Sequence, residues 1–262
     1  MPDCSMRMLA VLGIWLVWAG TLPAAAQIIP DCAGATAIPS AHVVQVKKNG
    51  ELMLDDGRAA ILEGIRLPGD PVFAGAALAR LRALALGRPL TLTATVPAPD
   101  RYGRIRVQAF AGAGQKTQWL QMELLRQGLA RVEISPDRNE CAPDLYESEQ
   151  GARAAGAGLW GSGAYAVRAP GGLAGDTGTF QIVEGLIANV TRRDGRLFLD
   201  FESDRRGFTA TVAPEDMKPF RDFEPPLEEL TGRRIRLRGV VESYRGRSEI
   251  ALSNPAQIEV LN

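Results

Sequence analysis

Short apolar runs, cut at intervals by glycine-bearing turns, constrain this chain more than any other feature. "HVVQVKK", "GELMLD" and "RAAILEGI" follow one another from His42, separated by "KNG" and "DDG". Asn-Gly and Asp-Gly steps favour the positive φ of tight hairpins, so the pattern predicts a meander of antiparallel strands. The period then changes. In "VFAGAALARLRALALG", Leu78, Leu81, Leu84 and Ala85 recur at helical spacing, and Gly87 is placed to end the helix. "PLTLTATV" and "RIRVQAFA" return to strands. "TQWLQMELLRQG" gathers Leu120, Leu124 and Leu125 on one helical side and stops at Gly128. "PDLYESEQGARAAGAG" reads as a third helix, with Pro143 near its first turn.

Residues 162–178, "SGAYAVRAPGGLAGDTG", lack periodicity and read as a linker. Residues 179–262 form a second module. Its runs "FQIVEGLIANV", "RLFLDFES", "GFTATVA", "RRIRLRGVVESY" and "RSEIALS" read as five strands, interrupted by one helical piece, "PEDMKPFRDF". Five strands and an inserted helix in so short a span predict a small barrel of OB type. The fold class is therefore mainly β with helices (α+β), as two successive barrels. The halves are not sequence repeats of each other.

The N-terminus has the form of an export signal. Arg7 precedes the apolar run "MLAVLGIWLVWAG", and "LPAAAQ" offers a cleavage site after Ala26, giving a signal peptide over 1–26. The run is shorter than the roughly 20 residues that span a bilayer, so the mature chain is expected outside the cytoplasm, periplasmic or secreted, without an integral membrane segment. Cleavage removes Cys4 and leaves Cys32 and Cys141, an even pair in an oxidising compartment that predicts a disulfide. Neither has a partner at CxxC spacing and His42 is the only histidine, so no thiolate or imidazole metal site is expected. Formal charge is zero and aromatic content 6%, which argues against avid non-specific DNA binding but leaves room for a local basic patch.

"DRYGR" at 100–104, "ELLRQGLARV" at 123–132 and "ESEQGARAAGAGLW" at 147–160 occur in an order that resembles the staphylococcal nuclease (thermonuclease) family, over residues 42–168. The second module resembles the OB-like domain appended to some exported bacterial members. The resemblance implies a barrel in which active members hydrolyse phosphodiesters. Calcium is held by acidic side chains, a glutamate activates water and two arginines stabilise the developing charge. Arg104 matches the second of those arginines and Tyr102 its neighbour. The rest departs from the pattern. Lys48 and Gly50 stand at the acidic positions of the first hairpin. Ile61 replaces the first arginine, Arg66 a metal aspartate and Gly69 the glutamate base. The tyrosines expected after "GLARV" are replaced by Glu133, Ile134 and Ser135.

Two carboxylates offer a rearranged site, Glu63 on the strand face of Ile61 and Asp70 one residue beyond the lost base. Asp55 and Asp56 read as turn residues. Arg104 either binds an anion or serves the turn alone. In "RRIRLRG", Arg234, Arg236 and Arg238 share a strand face by alternation. They form either a track for a polyanion or a solvated face paired across the sheet with Asp200 and Glu202. Trp119 and Trp160 read as core. These readings point to a catalytically silent, exported binding module for nucleic acid, another polyanion or an envelope protein, with no cofactor. The alternatives are a nuclease using a rearranged calcium site, and an interaction role carried by the second barrel.

Overall fold

The computed structural model describes residues 29–34, 36–39, 42–112, 117–135, 137–173, 175–202 and 207–261; the expected signal peptide lies outside them. Thr36–Ile38 (β1), which the sequence pattern did not announce, precedes the predicted meander of Val43–Val46 (β2), Leu52–Leu54 (β3) and Ala59–Leu62 (β4). Ile65–Arg66 (β5) leads into the helix Pro71–Ala85 (α1). Leu90–Ala94 (β6), Arg104–Ala111 (β7) and Gln118–Trp119 (β8) follow, then Leu120–Arg126 (α2), Arg131–Val132 (β9) and Ala142–Ala154 (α3). The main sheet runs β1-β6-β7-β4-β3-β2, and β5 pairs separately with β9. β4 and β7 are parallel neighbours, and single bridges from His42 to Pro89 and from Val43 to Leu86 tie the start of β2 to the segment between α1 and β6.

Each helix follows from local chemistry. Asp70 caps α1, its carboxylate accepting the Val72 N–H at 2.8 Å, while Pro71 occupies a first-turn position that needs no donor. Leu81, Leu84 and Ala85 are buried against the barrel, where Leu52, Leu92 and Val107 meet them in one core. The end of α2 and the segment after α3 meet backbone to backbone. A Cβ on Gly158 would lie 2.3 Å from the Gly128 carbonyl oxygen, and one on Gly128 would lie 2.0 Å from that of Ala157. Only glycine fits at either position. The predicted disulfide joins Cys32 to Cys141, tying the 3-10 turn Asp31–Ala33 to the start of α3.

The second module contains Phe180–Arg193 (β10), Arg196–Phe201 (β11), Phe208–Val212 (β12), Arg234–Tyr244 (β13), Arg247–Leu252 (β14) and Ile258–Leu261 (β15). Hydrogen-bonded neighbours run β10-β11-β12-β14-β13, and β13 returns to β10, closing a five-stranded barrel with β15 added beside β13. β12 and β14 are its parallel pair. Counting β2, β3, β4, β6 and β7 as one to five in the first module, both have the strand order 1-2-3-5-4. The helical piece expected over 214–223 is instead two 3-10 turns, Pro214–Asp216 and Lys218–Phe220, with a third, Leu227–Glu229, beyond it. Pro219 removes a donor that a continuous helix would need there.

The segment expected as a linker is tied to the second barrel at two described residues. Arg168 forms a bridge with Val183, and Leu173 is buried in the second core. No helix among the described residues is long and apolar enough to cross a membrane.

Candidate functional site

The parallel pairing of β4 with β7 creates the chemistry-bearing face of the first barrel. Alternation sends Ile105 and Val107 into the core and leaves Arg104 and Arg106 on the other side. The register sets Ala59 beside Arg104 and Ile61 beside Arg106.

Arg104 is held from both sides. Its Nε and Nη2 donate to Asp100 Oδ2 at 3.0 and 2.8 Å, and its Nη1 donates to Glu51 at 3.3 Å. Asp100 also accepts the backbone N–H groups of Tyr102 and Arg104, closing the turn in which Gly103 takes φ +74°. The Arg104 side chain, more than any other contact, holds the Asp100 carboxyl at about 2. Glu51 is lowered as well, first by its bond to Lys47. Tyr102 is exposed, with the guanidinium groups of Arg101 and Arg104 over its ring at 5.0 and 4.9 Å.

Arg106, which sequence reasoning passed over, reaches Glu63 at 3.2 Å and the Ser135 hydroxyl. Ser135 donates in turn to Glu63 at 3.0 Å, and the Gly64 N–H donates to the same carboxylate at 3.2 Å. Glu63 is buried in this cluster. The signal that could have found Arg106 is its shared parity with Arg104 on one strand.

A cleft of about 600 Å³ opens above these groups. Lys48, Gly50, Ile61, Arg66, Gly69 and Arg104, the positions singled out by the motif comparison, all line it. Glu63, Arg106 and Ser135 line it too, whereas Asp70 does not and is committed to capping α1. Glu133 takes two bonds from Arg66, one of 2.7 Å from Nε, and one of 2.9 Å from Arg131. Both carboxylates of the cleft are thus occupied by arginine. Calcium requires 6–8 oxygen ligands. Among the described residues no three His, Cys, Asp or Glu side chains gather to supply them. The residues present do not fit a calcium site of the kind that the resemblance implies.

The arginine stripe on β13 is corrected in part. Strand order puts β11 away from β13, so Asp200 and Glu202 cannot pair with it. Asp200 instead accepts from Thr209 at 2.7 Å. The partners are Glu184 of β10 and Glu259 of β15, which flank Arg236 in register and bond it at 2.8 and 3.3 Å. Arg234 remains exposed, 3.7 Å from Glu184. Arg238 is not a surface group at all. It is 2% exposed and bonds Glu149 of α3 at 3.0 Å and Glu259 at 2.7 Å. Its guanidinium also lies 4.2 Å from the Tyr146 ring centre and donates to the Val132 carbonyl. Burial pushes the Tyr146 phenol up to about 12, and its hydroxyl donates to the Ala256 carbonyl of the second module. Asn254 adds a bond to the Ser135 carbonyl at 3.1 Å. The two barrels are joined by buried polar contacts.

Asp55 and Asp56 sit in a turn as expected, bonded to His42 and Arg58. Trp119 is core, stacked on Phe110 and bonded to Gln108, while Trp160 is half-buried.

Residues 68–162 match the family of staphylococcal nuclease homologues. The match takes in Asp70, Tyr102 and Arg104 and begins after the first hairpin and β4. No curated protein matches the chain.

Proposed function

We propose that, in a chain carrying a domain of the staphylococcal nuclease homologue type, this cleft binds a phosphodiester ligand without hydrolysing it. One observation carries the reading: Arg106 stands beside Ile61, where the resemblance places the first phosphate arginine. The lost cation is resupplied from the neighbouring strand, while the acids are not. Among the described residues both hydrogen bonds of Arg106, to Glu63 and Ser135, use Nη1, and Arg106 lines the cleft with Arg104 two residues away on the same side. Hydrolysis requires a base and a metal as well. Glu63 is paired with Arg106 and accepts a hydrogen bond from Ser135, and Asp70 caps α1, which speaks against the rearranged nuclease.

Export agrees with the leader-like first residues and with a disulfide that an oxidising compartment would preserve.

Mature protein incubated with single-stranded DNA or RNA and calcium is expected to leave the substrate intact. A nucleoside bisphosphate is expected to raise the melting temperature by mass action, an effect lost in Arg104→Gln/Arg106→Gln. Cleavage that needs calcium, stops with chelator and disappears in Arg104→Ala would overturn the reading.

A further inference from the structure

A second cavity, of about 520 Å³, lies between the barrels. Arg66, Glu133 and Ile134 line both this cavity and the cleft, so the two share a wall and meet at the Arg66–Glu133 ion pair. Beyond that pair, the floor passes onto the second barrel at Phe180, Gly239, Val240 and Ala251. Val240 is 49% exposed, and the Arg131 guanidinium lies 3.8 Å from the centre of the Phe180 ring.

The joined space is electrically biased in a chain of zero formal charge. On its lining stand Lys48, Arg66, Arg104, Arg106, Arg131 and Arg238 against Glu63, Glu133 and Glu242, while the acids paired with Arg104 (Asp100 and Glu51) and with Arg238 (Glu149 and Glu259) lie outside the lining. Excess cations in a walled cleft raise the local concentration of anions and favour a charged polymer over a neutral one. Apolar surface interleaved with the cations suits a ligand that alternates charge with flat apolar faces.

We propose that the two cavities form one track for single-stranded nucleic acid. The strand would be anchored by a phosphate at Arg104 and Arg106, and would pass Arg66 onto the Phe180–Val240 surface of the second barrel. The proposal rests on the phosphodiester reading of the cleft and adds a footprint of several nucleotides that depends on the second barrel. Arg66 would act at the junction, exchanging part of its contact with Glu133 for a phosphate.

The test is a length series of labelled oligothymidylates, from two to eight nucleotides, titrated against the full mature chain at fixed low salt. Affinity is expected to rise at least tenfold between the dimer and the octamer. Val240→Glu and Ala251→Glu place a carboxylate on the exposed floor of the second cavity. Each is expected to weaken the octamer at least fivefold and leave the dimer unchanged. An octamer that binds no better than the dimer, or is indifferent to both substitutions, overturns the track while leaving the cleft reading standing. Failure of every length to bind, or binding unaffected by Arg104→Gln/Arg106→Gln, overturns both. An acidic octapeptide that binds as tightly as the octamer overturns the assignment to nucleic acid.

Discussion

Arg104 shows how one side chain can serve a turn and a cleft together. Its bonds to Asp100 stabilise the hairpin, and its position on β7 puts it at the cleft. The Asp100 carboxyl, ordinarily at 3.8, is held at about 2 chiefly by that contact. A depressed folded-state value means that the stabilisation is complete above the ordinary carboxylate range and is lost as pH falls through about 2. Arg104→Gln is expected to move Asp100 back toward its ordinary range, by carboxyl-carbon NMR titration, and to raise the pH at which acid unfolding begins. An unmoved titration would show that the backbone donors of Tyr102 and Arg104 suffice. Arg104 was legible because its motif is local. Arg106 was not, because its importance depends on the strand beside it being β4 and on Ile61 lying opposite, a fact of register.

Among elements, the contact between the end of α2 and the segment after α3 is the most exacting. Gly128 and Gly158 have positive φ, and each faces backbone that cannot move aside. Gly87 also has positive φ but faces open space. Gly158→Ala is therefore expected to cost at least about 2 kcal/mol by urea unfolding, from left-handed strain plus steric conflict. Gly87→Ala should cost about 1 kcal/mol, from strain alone. Equal losses would show that the backbone approach contributes nothing. The elements themselves were largely readable from the sequence: the meander, the three helices and the five strands of the second module stand where periodicity and turn chemistry put them. β1 was missed because three residues carry no periodicity. The helix expected after β12 was broken at Pro219, which the helical reading underweighted.

The whole molecule is governed by the buried cluster around Arg238. Burial opposes the charge on Glu259, but Arg238, with Arg153 and Arg236, outweighs it and holds that carboxyl below its usual range. Arg238→Met would leave Glu149 and Glu259 without their main partner, and is expected to cost about 3–5 kcal/mol by urea unfolding. Arg238→Met/Glu149→Gln should lose less, since Glu259 keeps Arg153 and Arg236 as partners and Arg153 keeps Glu259. A single variant as stable as the unmodified chain would mean that the barrels are joined by other contacts. By itself, the sequence determined the number of modules, their mainly β character and the cysteine pair. Those properties are written in residue type and short-range spacing. Only the tertiary structure decided that Arg238 is sealed between the barrels, that Arg106 joins Arg104 at the cleft, and that a second cavity bordering the second module shares Arg66, Glu133 and Ile134 with the cleft. Each brings together residues from distant parts of the chain, and strand register and domain docking, rather than local preference, set which charges meet.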